Sequence, residues 1–154
     1  MANTNFTGSP VQCDNGFIGP ITGTVTGTAL VETVTATNVI TAAESGTTYF
    51  LSAVAGFAST LPAPASGLRF SFVVITAPTS NGYTILTNAS GNVMSGVHNV
   101  TATGGGSAIA LADTITLVHN SAVAGDRVDV ISNGTYWYVR ADSTLKASVT
   151  SAAT

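Results

Sequence analysis

The sequence predicts an all-β fold, and three observations carry that prediction. No stretch places apolar residues at the i, i+3, i+4, i+7 spacing over a helix-length window. Threonine and valine recur at period two, and their branching at Cβ favours extended backbone over helix. Turn signals separate short runs along the whole chain, among them Asn81-Gly82 and Asn133-Gly134. The architecture implied is a compact antiparallel β-sandwich or jelly-roll-like barrel with an extended N-terminal arm.

Residues 1–20 read as that arm, because Gly8, Pro10, Gly16, Gly19 and Pro20 punctuate a polar segment with little apolar surface to bury. A single β domain is expected over residues 21–142. It opens on a short repeat, Ile21-Thr22-Gly23-Thr24 and Val25-Thr26-Gly27-Thr28, which as one strand puts the threonines on one face. The other face then alternates apolar residues with Gly23 and Gly27, a pattern that suits close approach of a second backbone, so residues 21–40 are expected at a trimer contact. From Val31 to Ile40 apolar residues fall on both faces, which predicts a strand covered on both sides.

Further on, Thr47 to Val54 reads as a strand, and Leu61-Pro62-Ala63-Pro64 as an extended surface link, since proline cannot sit in a central strand. Arg69 to Ala77 and Tyr83 to Thr87 flank Asn81-Gly82, while Asp129 to Ser132 and Thr135 to Ala141 flank Asn133-Gly134. Both pairs are expected to form tight hairpins. Residues 143–154 read as a polar tail of Ser, Ala and Thr with little to bury.

Composition narrows the function. Charged residues are only 7% of the 154 residues and apolar ones 45%, with mean hydropathy +0.41, so a monomer cannot cover itself with charge. A protein assembly or a membrane tolerates such a surface. No apolar run approaches the length of a membrane helix, and Met1 to Asn5 does not open a leader of the export type, so no membrane is expected. Four basic residues, Arg69, Arg127, Arg140 and Lys146, against seven acidic ones give a net charge of -3, which predicts no nucleic-acid partner. The single cysteine, Cys13, fits a protein made in a reducing cytoplasm.

Chemistry needs reactive groups gathered together, and few exist. His98 and His119 are the only histidines, no Gly-x-Ser-x-Gly elbow accompanies them, and nothing in the spacing unites them with Asp113. Asp126, next to Gly125, reads as closing a turn. No ligand spacing calls for a metal or any other cofactor, so the expectation is a non-enzymatic protein.

Two stretches are similar to a known module. Ile40 to Gly46, continuing through Thr60-Leu61-Pro62-Ala63-Pro64 to Gly67-Leu68-Arg69-Phe70, resembles a module of tailed-bacteriophage virion proteins in which a Leu-Pro link joins two strands. Gly125-Asp126-Arg127-Val128 through Ser132-Asn133-Gly134-Thr135-Tyr136-Trp137-Tyr138-Val139 is similar to its closing hairpin. Within that group the short chain looks most like a capsid decoration or cement protein. The resemblance implies a homotrimer on the capsid exterior that binds the major capsid protein and stabilises contacts between capsomers, or alternatively a tail-fibre or spike domain that holds host carbohydrate. The side chains expected to meet other chains are Phe6 and Phe17 in the arm, Ile21, Val25 and Val31 on the glycine-spaced face, and Trp137 in the last hairpin.

Overall fold

Twelve strands in the computed structural model, which describes residues 30–102 and 104–153, build two sheets around one apolar core. The strands are β1 (Val31–Val34), β2 (Asn38–Val39), β3 (Thr48–Ser52), β4 (Ala58–Thr60), β5 (Ser66–Thr76) and β6 (Tyr83–Leu86) in the first half. The second half supplies β7 (Met94–Val100), β8 (Ser107–Ala112), β9 (Thr114–Leu117), β10 (Arg127–Asn133), β11 (Trp137–Ser143) and β12 (Val149–Ala152). Seven of them form a sheet in the order β1-β3-β5-β10-β11-β7-β8, and five face it in the order β12-β9-β6-β4-β2. The expected arm, with Phe6, Phe17, Ile21 and Val25, lies outside the described residues.

The all-β prediction holds, but the sheets are mixed rather than wholly antiparallel. From β1 to β6 successive strands alternate between the two sheets, so the chain winds as a coil. β1, β3 and β5 lie parallel in one sheet, and β2, β4 and β6 lie parallel in the other. Val31, Thr48 and Ser71 sit side by side on successive turns, as do Asn38, Ser59 and Ile85. Antiparallel strands then close the coil, β10 on β5 and β9 on β6.

Period two explains the core. In β5, Leu68, Phe70, Phe72 and Val74 point inward while Arg69, Ser71, Val73 and Ile75 point out. Tyr49 stacks on Phe72 with ring centroids 5.4 Å apart. Tyr83 ties the sheets together: its hydroxyl accepts from the Ala53 N–H (2.7 Å) and faces the carbonyls of Ala53 (2.7 Å) and Thr76 (2.8 Å). Asp113 is the whole link between β8 in one sheet and β9 in the other. Its carboxylate holds that corner by accepting from the Gly91 (2.9 Å) and Asn92 N–H groups.

Several local expectations change. Asn81-Gly82 is not a hairpin turn, because β5 and β6 belong to different sheets and the dipeptide lies in the crossing between them. Gly82 is needed there for space: a Cβ would run into the Leu117 carbonyl oxygen. Asn133-Gly134 does turn a hairpin, between β10 and β11, but as a wider loop in which Gly134 takes φ 104° and the Asn133 carboxamide oxygen accepts from the Thr135 and Tyr136 N–H groups. The segment Val31 to Ile40 is two strands, not one covered on both sides: Val34 and Ile40 are buried, whereas Val31 and Val39 are exposed.

The polar tail is also revised. Val149–Ala152 is β12, an edge strand antiparallel to β9, and Ser148 and Val149 are buried. Trp137, expected at an interface, is instead fully buried in the core beside Phe70, at 5.9 Å between ring centroids. As the first residue of β11 it points to the inner face, and Tyr138 takes the outer one.

Trp137 thereby becomes a stability residue. Trp137→Ala should lower the unfolding free energy by about 3–5 kcal/mol in urea titration. Trp137→Phe should cost much less, because the buried indole N–H has no hydrogen-bond partner among the described residues and its loss offsets part of the lost packing.

Candidate functional site

The outer face of the seven-stranded sheet carries three of the four basic residues of this charge-poor chain. Strand β10 carries Arg127 and Asp129 two positions apart, and β11 carries Arg140 and Asp142 in the same way, so all four point outward. The antiparallel register sets Arg127 opposite Asp142 and Asp129 opposite Arg140, a checkerboard in which every cross-strand neighbour is of opposite sign. Each strand also pairs internally: Arg127 Nε lies 2.8 Å from Asp129 Oδ1 and Arg140 Nε 2.9 Å from Asp142 Oδ2. Ser71, facing Asp129 from β5, donates to its carboxylate (2.6 Å) and accepts from Arg127 Nη2 (3.1 Å). Asn99 on β7 donates to Asp142 (2.8 Å).

This quartet is neutral, and Arg69 is not part of it. Register places Arg69 beside Ile131, and Ile131 beside Tyr138, along one row of the face. The Arg69 backbone is held on one side by the turn after the 3-10 segment Ala42–Glu44: its N–H donates to Ser45 Oγ (3.2 Å) and its carbonyl accepts from the Gly46 N–H (2.8 Å). That turn is itself braced. Glu44 accepts from the Thr41 N–H and hydroxyl (2.6 Å each) and from the Tyr49 hydroxyl (3.2 Å), and the Thr41 bonds hold its carboxyl below the usual carboxylate range. Arg69 makes no ion pair among the described residues.

Between the turn and these strands lies a shallow recess of about 500 Å³, walled by Gly46, Thr47 and the three arginines and open to solvent beside Ile131 and Tyr138. Its floor is mostly apolar. Ile131 and Tyr138 are each about half exposed, at 51% and 49%. A second group of exposed apolar side chains, Leu30, Val31 and Val39, marks the opposite end of the coil, where β1 and β2 are the edge strands of their sheets.

The reactive groups are dispersed. His119 lies exposed in the turn after β9, and Asp113 is committed to its corner. Buried His98 does meet a hydroxyl, Ser143 Oγ, 2.6 Å from its Nε2. Ser143 donates its proton to the Leu145 carbonyl (2.8 Å), so the imidazole supplies the hydrogen in the bond between them. General-base activation of the serine requires the opposite polarity. Asp126 closes the turn before β10 as expected, accepting from the Val123 (3.1 Å) and Thr144 (2.8 Å) N–H groups. Among the described residues no three His, Cys, Asp or Glu side chains gather to hold a metal ion, and no helix is long and apolar enough to cross a membrane.

Of the side chains expected at an interface, Val31 is exposed and Trp137 is not. Sequence reasoning passed over the outer-face quartet, although Arg-x-Asp occurs in both arms of the Asn133-Gly134 hairpin and same-face placement follows from strand period alone. Comparison with protein-family models, with curated proteins and with solved structures found no match.

The His98 contact makes stability pH-dependent. Burial pushes the imidazole below its ordinary value of 6.5, against the smaller pull of Asp126 and Asp142 in the other direction, with Lys146 adding to the depression. The unfolded chain therefore binds the proton first, so the contribution is complete above about pH 6.5 and declines as pH falls below it. Urea midpoints measured from pH 7.5 to 5.5 should show that decline, and His98→Gln, which keeps an N–H toward Ser143, should flatten it.

Proposed function

We propose that the chain is a non-enzymatic structural protein of a tailed-bacteriophage particle, bound as a homotrimer to the capsid exterior through the major capsid protein, where it stabilises contacts between capsomers. The observation that carries this reading is the pair of exposed apolar surfaces on a chain with so little charge. One surface is the coil end with Leu30, Val31 and Val39, and the other is the outer sheet face with Ile131 and Tyr138. Exposed apolar side chains, at the edge strands β1 and β2 and on the face of the central strands β10 and β11, suit cover by other chains. Contact between copies at the coil end and contact with the shell at the sheet face cover both.

The two stretches that resemble the virion module support the same reading. They are separated by more than fifty residues in sequence, yet they supply the adjacent strands β5, β10 and β11 and the turn beside them, which together wall the recess. The alternative, a fibre or spike domain holding host carbohydrate, needs an exposed aromatic platform. Burial of Trp137 leaves only Tyr136 and Tyr138 exposed there, so the shell-binding reading has more of the surface behind it.

Light scattering after size-exclusion chromatography should give about 46 kDa, three times the 15.4 kDa of the chain. A stable monomer at micromolar concentration would remove the trimer. Mass-spectrometric counting in purified particles should give a copy number that scales with the capsomers of the shell, whereas a handful per particle would place the protein in the tail.

A further inference from the structure

We infer that the recess beside Arg69 is a docking site for an acidic peptide segment of a partner protein, one in which an Asp or Glu carboxylate is flanked by aliphatic side chains. This names the chemistry of the surface that the outer face meets under the reading above, and rests on that reading only for which protein carries the segment.

Most polar groups of the recess are engaged with one another. Ser71 is saturated by Asp129 and Arg127, and Asp129 accepts from both Ser71 and Arg127. The Thr47 hydroxyl donates to the Glu44 carbonyl (2.6 Å). The Arg69 guanidinium has no hydrogen-bond or ion-pair partner among the described residues, and the register sets Arg69 in one row with Ile131 and Tyr138. The quartet around Arg127 and Arg140 is neutral by itself, so Arg69 is the arginine of this face without an ion pair among the described residues.

A ligand complementary to this surface brings an acceptor with two oxygens for the planar guanidinium and apolar groups for the floor. A carboxylate side chain between aliphatic residues meets both requirements. A neutral saccharide lacks the anionic group that would pair with the Arg69 guanidinium, so it uses less of what the recess offers. The backbone of Arg69 is pinned to the turn at Ser45 and Gly46, which fixes the point from which the guanidinium reaches into the recess.

The test uses the whole chain, immobilised, and a displayed library of random linear peptides, with no capsid present. Peptides recovered on the native protein should be enriched in Asp or Glu beside Leu, Ile or Val, and Arg69→Ala should lose that enrichment while keeping the native thermal midpoint. A synthetic peptide made from the enriched sequences should bind Arg69→Ala about tenfold more weakly, a difference of about 1.4 kcal/mol, and Arg69→Lys should fall between the two. Its affinity for the native protein should drop as sodium chloride is raised. Equal recovery on native protein and Arg69→Ala overturns the proposal. So does capture of uronic-acid oligosaccharides on a glycan array without enrichment of acidic peptides, which would assign the recess to carbohydrate. Neither result bears on the copy number in particles, so failure of the site and failure of the capsid reading are told apart.

Discussion

The structure depends on a single apolar layer shared by two sheets. Each strand commits alternate side chains to it, and the coil from β1 to β6 returns the chain to that layer on every half-turn. Tyr49, Phe70, Phe72 and Trp137 enter from the seven-stranded sheet, while Tyr83, Ile85, Ile115 and Leu117 enter from the other. At about 25 cal/mol per Å² of apolar area removed from water, burial of these aromatic and branched side chains is the main favourable term available to a domain with few charges and one cysteine. Polar side chains inside serve the corners. Tyr83 joins strand ends across the layer, and Asp113 and Asp126 satisfy turn N–H groups that would otherwise be buried without partners.

Much of this was legible in the sequence because period two and turn chemistry are local. The strand over Thr48–Ser52, the Leu-Pro link, the turn at Asp126 and the hairpin at Asn133-Gly134 all follow from residues within a few positions of one another. What local signals could not provide was the partner of each strand. Asn81-Gly82 suits a hairpin, yet the strands on either side of it pack in opposite sheets, and no property of the dipeptide distinguishes a turn within a sheet from a crossing between sheets. The tail was misread for a related reason. Only Ser148 and Val149 of this segment are buried, and Val149–Ala152 acquires its structure by pairing with β9, a neighbour distant in sequence.

The recess illustrates the same divide. Arg127 with Asp129, and Arg140 with Asp142, are visible in sequence as same-face pairs, and the hairpin register then follows from the turn between them. Arg69 is different. Its position beside Ile131 depends on the pairing of β5 with β10, strands separated by the whole middle of the chain. A reading that stopped at the hairpin would find a neutral charge patch; only the tertiary register adds the uncompensated guanidinium that gives the patch a sign.

Why so few charges should collect on one face follows from the cost of placing them elsewhere. The inner faces are closed to a guanidinium by the apolar layer they share. The outer face of the seven-stranded sheet is free of that constraint. There the paired Asp residues hold two of the three arginines in a fixed, self-neutralised frame, which limits non-specific attraction and leaves one guanidinium to choose among partners. Under the proposed function, apolar area at Ile131 and Tyr138 supplies attachment, while Arg69 discriminates in favour of a carboxylate. That division of labour suits a chain whose surface is otherwise made of Thr, Ala, Ser and Val.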